Sequence, residues 1–567
     1  MSPAVSIEDL TFTYSGNERS ALQNIQGQID DGTFVVVMGH GGAGKSTLCC
    51  SLNALVPKFF RGNYQGRVVI EGQEVARRRV AEMSHYVGLV LQDFEAQLFS
   101  TNVELEVAFG PENHCLPRRE IEGRIQRYLS FVGLEKLRSR EPASLSGGQK
   151  QRLAIASVLA LEPRVLVMDE ATTDLDPLGR AEVLSVAKDI REEGRILFLA
   201  DQEPEAAVTA DQVWLMRDGR VVSQGPPSKI LVDVSSMKSC GIRTLPMVEL
   251  FHSMRWPGNP LTVEPAIELI QKHHLTQRRK LRPHSVSPDH VKGPPILQAE
   301  ELRYTYPAYS EEALRGINLM IREGEFIALL GQNGSGKTTL AKHFNGLLKP
   351  TSGRMRVRNK PTTEVSQREM ARCVGYVFQN PDHQIFARTV AEEVGFGLKM
   401  QNQTSGMIER RVGEALEGTG LQGYETRVPF TLTKGERQRV AVASVLAAQP
   451  QVIILDEPTT GLDDRHQQDM MTLLKHLNQQ GHTVIIITHS MGVAAEYANR
   501  TIVMKDGGLL SDGPTRPVFA DEARLAEASL RPPPLVRLSN WLGTEALTVR
   551  QMVQELKENT HPANLKM

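Results

Sequence analysis

The sequence predicts an α/β fold built twice in tandem, and three observations carry that prediction. Two glycine-rich loops of the form G-x-x-x-x-G-K-[ST] each follow a short apolar run. Downstream of each loop comes an apolar strand that ends in Asp-Glu. The copies also keep a steady offset: Lys337 minus Lys45 gives 292, and Gln379 minus Gln92 gives 287. The difference of 5 places an insertion in the first copy around residues 58–64. A period this long marks duplicated domains rather than a solenoid of short repeats. The divisions that follow are a first domain at 1–232 with a short extension at 233–270, a linker at 271–294, a second domain at 295–516 and its extension at 517–567.

In chain order, Leu10-Thr11-Phe12-Thr13-Tyr14 alternates as a half-exposed strand and recurs as Leu302-Arg303-Tyr304-Thr305-Tyr306. Phe34-Val35-Val36-Val37-Met38 is a buried strand leading into Gly39-His40-Gly41-Gly42-Ala43-Gly44-Lys45-Ser46-Thr47. Phe326-Ile327-Ala328-Leu329-Leu330 leads likewise into Gly331-Gln332-Asn333-Gly334-Ser335-Gly336-Lys337-Thr338-Thr339. Glycines in such a loop let backbone N–H groups turn inward around a phosphate chain. The lysine reaches the outer phosphates, and the Ser46 or Thr338 hydroxyl can ligate Mg²⁺ at the helix N-terminus. A strand ending in Gln92 or Gln379 comes next, then a glycine turn opening a helix: Leu145-Ser146-Gly147-Gly148-Gln149 in the first half, Leu432-Thr433-Lys434-Gly435-Glu436 in the second. The acid-ended strands close with Asp169-Glu170 and Asp456-Glu457, at the carboxyl edge where open α/β sheets bind ligands. Asp169 and Asp456 are candidates to hold Mg²⁺ through water, and Glu170 and Glu457 to orient or deprotonate an attacking water. A last apolar strand leads to Ala200-Asp201-Gln202 and to Thr488-His489-Ser490.

Composition bounds the function. Apolar content of 40% and charge of 23% are those of an ordinary globular protein, and a formal net charge of −1 gives no global pull toward nucleic acid. The basic runs Arg77-Arg78-Arg79 and Arg278-Arg279-Lys280 read as solvated faces, and His273-His274 as part of a solvated linker rather than a metal pair. Five cysteines form neither a metal spacing nor a disulfide framework, which suits a reducing cytoplasm. No leader is evident at the start, and no apolar run approaches the roughly 20 residues of a spanning helix. A membrane role would need another chain to cross the bilayer.

Phosphate loop, glutamine, glycine signature, Asp-Glu strand and following histidine, in this order and in two copies, resemble the ATP-binding-cassette (ABC) ATPases. The resemblance implies ATP and Mg²⁺ as cofactors, and in each domain a helical signature subdomain and an antiparallel β portion beside the α/β core. It further implies that Tyr14 and Tyr306 stack on adenine and that Gln92 and Gln379 sense Mg²⁺ and contact a transport partner. Asp176 and Asp463 would lie in loops crossing the domain interface, and His489 would hold the γ-phosphate. Members pair head to tail, each ATP lying between one phosphate loop and the opposite signature, so one chain can supply the whole dimer.

The segments Gln97-Leu98-Phe99 with Val107-Ala108-Phe109-Gly110, and Gln384-Ile385-Phe386 with Val394-Gly395-Phe396-Gly397, are similar to those in the energising ATPases of energy-coupling-factor importers. These importers take up vitamins, their precursors or transition-metal ions. Implied partners are a transmembrane coupling subunit and a substrate-binding membrane subunit, with the ATPase peripheral on the cytoplasmic face of the cell membrane. Phe99, Phe109, Phe386 and Phe396 would then line a groove for a partner helix, or else belong to the core. A fused-cassette sugar importer and a soluble twin-cassette protein acting on ribosomes or DNA are the alternatives. Counting back equally from Met504 and Met216 sets Asp201 opposite His489, and Lys434 and Glu436 replace signature residues. The expectation is one hydrolytic site, built on Lys337, Glu457 and His489, and one degenerate site, built on Lys45, Glu170 and a phosphate-repelling Asp201.

Overall fold

The computed structural model describes residues 3–145, 147–171, 177–276, 293–307 and 311–560, which fall into two compact units, Met1–Lys272 and His273–Met567. The described strands of the first unit are β1 (Val5–Tyr14), β2 (Leu22–Ile29), β3 (Phe34–Met38), β4 (Gly62–Ile70), β5 (Gln73–Glu74), β6 (Val87–Val90), β7 (Val165–Asp169), β8 (Ile196–Ala200), β9 (Gln212–Arg217) and β10 (Arg220–Gly225). They make an antiparallel sheet, β2-β1-β4-β5, and a sheet ordered β10-β9-β3-β8-β7-β6 that is parallel except for its edge strand β10. In the second unit β11 (Pro295–Thr305), β12 (Glu312–Arg322), β13 (Phe326–Gly331), β14 (Ser352–Val357), β15 (Lys360–Pro361), β16 (Val374–Val377), β17 (Val452–Asp456), β18 (Thr483–Ile487), β19 (Arg500–Lys505) and β20 (Gly508–Pro514) repeat both sheets in the same order.

The central strands are apolar along almost their whole length because each has two cores to fill. Side chains alternate across a strand, so Val35 and Val37 of β3, Val165 and Val167 of β7, and Ile196 and Phe198 of β8 pack toward the antiparallel sheet. Their neighbours Val36, Leu166, Met168, Leu197 and Leu199 pack toward the helices. The second unit divides Ile327 and Leu329 from Ala328 and Leu330 in the same way. A sheet buried on both faces fixes its register, since a one-residue slip would exchange the two sets.

The insertion of the first half is the short turn Leu55–Lys58 together with a β4 of 9 residues where β14 has 6. Much of the linker, residues 277–292, lies outside the described residues; a helix ends at Lys272 on one side and β11 starts at Pro295 on the other. The extensions repeat as well: Pro246–Met254 and Val263–Lys272 in the first unit, Pro534–Leu542 and Val549–Thr560 in the second. Met237, Cys240 and Ile242 enter the helix-side core of the first unit, and Leu525, Leu530 and Val536 enter that of the second. Among the described residues no helix is long and apolar enough to cross a membrane.

One core substitution distinguishes the halves. Trp214 of β9 is fully buried against Phe198, and a Cβ on Gly27 would stand 2.2 Å from its ring. At the matching positions the second half has Leu319 and Ile502, a large-small exchange across one contact. Gly27→Ala should therefore destabilise the chain by about 1–3 kcal/mol through overpacking. The double change Gly27→Leu with Trp214→Ile should recover most of that loss, as measured by thermal unfolding.

Candidate functional site

Each phosphate loop is shaped by close backbone approaches that only glycine allows. Gly44 and Gly336 cap their helices at φ 104° and 98°, and a Cβ there would press within 2.6 Å of Ala21 O and 2.8 Å of Ala313 O. Gly42 and Gly334 are left-handed too, but open to solvent on the side a ligand would enter. The lysines curl back into their own loops. Lys45 Nζ donates to Gly39 O at 2.8 Å and His40 O at 3.2 Å, and Lys337 Nζ donates to Gly331 O at 2.8 Å and Gln332 O at 2.7 Å. Behind them Tyr14 Oη meets Thr47 Oγ1, and Tyr306 Oη meets Thr339 Oγ1, each at 3.0 Å.

The acids sit where the parallel strands end. Glu170 and Glu457 adopt φ 48° and 49°, a left-handed conformation costing about 1–2 kcal/mol for a side-chain-bearing residue. Their amides donate to Ala200 O and Ile487 O at 2.9 Å, which ties the turn to the neighbouring strand. Glu170 is gripped from three directions: Lys45 Nζ at 3.1 Å, Gln92 Nε2 at 3.0 Å and Gln202 Nε2 at 2.8 Å. Glu457 is met by His489 Nδ1 at 3.0 Å and by Thr460 Oγ1 at 3.3 Å. Asp456 Oδ2 accepts from Thr338 Oγ1 at 2.9 Å and from Tyr376 Oη at 2.8 Å. Burial pushes the Asp169 carboxyl up to about 6, with the Ser46 hydrogen bond opposing, the Glu170 charge adding and Lys45 opposing. Its Oδ1 is buried with no hydrogen-bond partner among the described residues, a carboxylate oxygen suited to a cation. Ser46, Asp169 and Gln92 in one half, and Thr338, Asp456 and Gln379 in the other, are oxygen donors of the kind Mg²⁺ takes.

The structure corrects the position of Asp201. Ala200 and Ile487 are equivalent, each pairing with the strand that precedes a phosphate loop, through Val37 and Leu329. Asp201 N donates to Val37 O as Thr488 N does to Leu329 O, so Asp201 matches Thr488 and Gln202 matches His489. The connection from β8 to β9 is one residue shorter than that from β18 to β19, and a count made from Met216 and Met504 passes over the gap. Asp201 is fully buried, accepts from the Gln202 and Glu203 amides at 2.7 and 2.9 Å, and faces Arg180 at 3.4 Å. It caps the next turn and does not project toward a phosphate. Gln202, whose amide can donate, holds the place of the histidine.

The glycine signatures also differ. Ser146 and Asp176 lie outside the described residues. Gly147 is exposed and opens the helix Gly147–Leu159, with Gly148 and Gln149 in its first turn and no acid there. In the helix Lys434–Leu446 Glu436 closes a capping box: its Oε2 accepts from Thr433 N and Oγ1, both at 2.8 Å, and its Oε1 from Tyr424 Oη at 2.8 Å. Asp463 caps the helix Asp464–Gln479, accepting from His466 N at 2.9 Å.

Past each glutamine, the four phenylalanines are not core. Phe99 is 63% exposed, Phe109 46%, Phe386 61% and Phe396 40%, and they form edge-on pairs at 4.6 and 4.7 Å. Buried Glu106 and Glu393, which sequence reasoning missed, hold the aromatic loops: Glu106 Oε2 accepts from the Phe99 and Ser100 amides, and Glu393 Oε2 from the Phe386 and Ala387 amides, at 2.8–3.1 Å. The repeated Glu-Val-x-Phe-Gly was the available signal.

The family model described as "ABC transporter" matches residues 22–173 and 314–460. An ABC transporter ATP-binding protein of Caldanaerobacter subterraneus subsp. tengcongensis is 48% identical, over 97% of this chain and 98% of its own length. Another so named, from Methanosarcina mazei, is 40% identical over 99% and 98%. A solved relative is CbiO1 of Clostridium perfringens, described as part of the ABC transporter complex cbiONQ. It is 39% identical, covers 43% of this chain and 98% of its own, and has a TM-score of 0.38.

Because the folded Asp169 titrates at about 6, above its unfolded range near 4, its ionised form opposes folding. Its favourable contribution is complete below pH 4 and lost as pH rises through 6. In the chain free of nucleotide and Mg²⁺, Asp169→Asn should be the more stable form above pH 6, by up to about 3 kcal/mol. The advantage should shrink toward pH 4 in melting curves.

Proposed function

The chain belongs to the ABC transporter family of ATP-hydrolysing proteins, and from that premise we propose that it energises an importer of the energy-coupling-factor type. The carrying observation is the pair of exposed aromatic edges after Gln92 and Gln379, one in each half. Apolar edges pinned by a buried carboxylate form a preformed surface for a partner's apolar helix. In both halves a further ion pair joins the segment after the glutamine to the signature helix: Lys150 to Glu95 at 2.7 Å, Arg437 to Asp382 at 2.6 Å. Movement of a docked helix would thus act directly on the signature. The partners under this reading are a transmembrane coupling subunit and a substrate-binding membrane subunit, with the ATPase peripheral on the cytoplasmic face.

Under the same proposal the two cassettes pair head to tail within one chain. Tyr14 and Tyr306 stack on adenine, and the phosphate loops cradle ATP. Mg²⁺, held through Ser46, Asp169 and Gln92 or through Thr338, Asp456 and Gln379, neutralises charge on the phosphates. Glu457, oriented by His489, positions or deprotonates the water at the second site. The first site is the weaker one. Its opposite signature places the Glu436 carboxylate on the helix N-terminus where an anion would otherwise be favoured, and commits the Thr433 hydroxyl to that carboxylate. The asymmetry rests on this cap and on Gln202 in place of a histidine, not on repulsion by Asp201.

Phe99→Asp with Phe386→Asp should release the protein from its membrane partners while leaving its melting transition in place, since an unpaired charge in an apolar groove costs several kcal/mol. Retained co-purification with the membrane fraction would refute the docking reading. Glu457→Gln should lower steady-state hydrolysis by about 10²–10⁴ while ATP still binds. Glu170→Gln should lower it much less; equal losses in single-turnover measurements would instead show two equivalent sites.

A further inference from the structure

The two halves differ directly behind the carboxylate that faces the cation. Strands β16 and β17 run parallel, with Tyr376 beside Ile454, so the Tyr376 ring lies along β17 and its hydroxyl reaches the Asp456 carboxylate at the strand's end. The ring is buried and packs edge-on against Phe378 at 5.1 Å. Two donors, Tyr376 Oη at 2.8 Å and Thr338 Oγ1 at 2.9 Å, therefore converge on one oxygen, Oδ2. In the first half the same position is Leu89 of β6, beside Val167 of β7. It has no hydroxyl to offer, and Asp169 keeps a buried Oδ1 without a hydrogen-bond partner among the described residues.

We propose that Tyr376 is a positioning residue for the divalent cation at the second site: by holding Asp456 Oδ2 it orients the carboxylate and gives this site the higher Mg²⁺ affinity of the two. The inference rests on the reading of Asp456 as the cation-facing acid. The terminal torsion of an aspartate is broad. Two donors on one oxygen narrow it before the cation arrives, whereas at the first site the Ser46 hydroxyl meets Asp169 without a tyrosine hydroxyl beside it, and the cation must complete the ordering. Outer-shell donors of this kind typically change metal affinity by about 10–100-fold when removed.

The test uses the full-length chain with one nucleotide site disabled at a time. In a Lys45→Ala background, binding of a fluorescent ATP analogue is measured in EDTA and across a Mg²⁺ titration, and bound Mn²⁺ is counted by electron paramagnetic resonance. Tyr376→Phe, which keeps the ring, should bind the analogue in EDTA as its parent does but need roughly 10-fold more Mg²⁺ or Mn²⁺ to reach the midpoint. In a Lys337→Ala background, Leu89→Tyr should move the midpoint of the first site to lower Mg²⁺. An unchanged midpoint in Tyr376→Phe overturns the proposal, and so does a parallel loss of binding in EDTA, which would make Tyr376 structural. If Tyr376→Phe melts early, Leu89→Tyr decides alone, and an unmoved midpoint there overturns the proposal. Failure of the Lys45→Ala parent to respond to Mg²⁺ at all would instead refute the reading of Asp456.

Discussion

Each half of this protein depends on an ammonium group taken out of water. Lys45 and Lys337 are 4% and 7% exposed, and a buried charge is tolerated only if every proton on it finds an acceptor. For Lys45 the acceptors are two carbonyls of the same loop and the Glu170 carboxylate, and for Lys337 they include two carbonyls of its own loop; these carbonyls must turn inward to reach the lysine, which turns the adjacent amides toward the open side. The glycines follow from this constraint, because Gly39 and Gly331 would drive a Cβ to 2.5 Å from Met216 O and Met504 O on the strand alongside. The doubly buried sheet serves the same end by fixing, to within one residue, where the acid-bearing strands stop. Strain at Glu170 and Glu457 is held there by cross-strand bonds rather than relieved.

On this shared frame the halves have diverged in small, linked sets. Tyr424 and Glu436 go together in the second half where the first has Leu137 and Gln149, and the hydroxyl of one satisfies the carboxylate of the other. Gln202 replaces His489 and grips the equivalent glutamate. Each difference preserves hydrogen bonding locally while changing what the site can offer a phosphate, as expected when a duplicated fold keeps its stability and varies its chemistry.

The loops, acids and signatures were legible in the sequence because their spacing is set by strand and helix lengths that the core enforces. What escaped were features with no period. A connection shortened by one residue between β8 and β9 displaced Asp201 onto the histidine, and only the pairing register reveals it. Tyr376 reads as one more apolar strand residue, because nothing in Val-Gly-Tyr-Val says that its hydroxyl meets Asp456. Glu106 and Glu393 look like solvated helix charges until the loop they hold is seen. The exposure of Phe99 and Phe386 was equally invisible, since an aromatic at helical spacing fits core and groove alike.

The exchange of Gly27 and Trp214 for Leu319 and Ile502 also makes the halves optically distinct. Of the three tryptophans in the chain, Trp256 and Trp541 belong to the extensions, and only Trp214 sits within a cassette sheet. Its indole is fully buried, edge-on to Phe198, with Nε1 donating to Gln212. Its strand also passes directly beneath the first phosphate loop, through Met216 O against Gly39. Emission from this ring therefore reports on the first cassette sheet, since the second has Ile502 at the matching position, while Trp256 and Trp541 of the extensions supply the remaining signal.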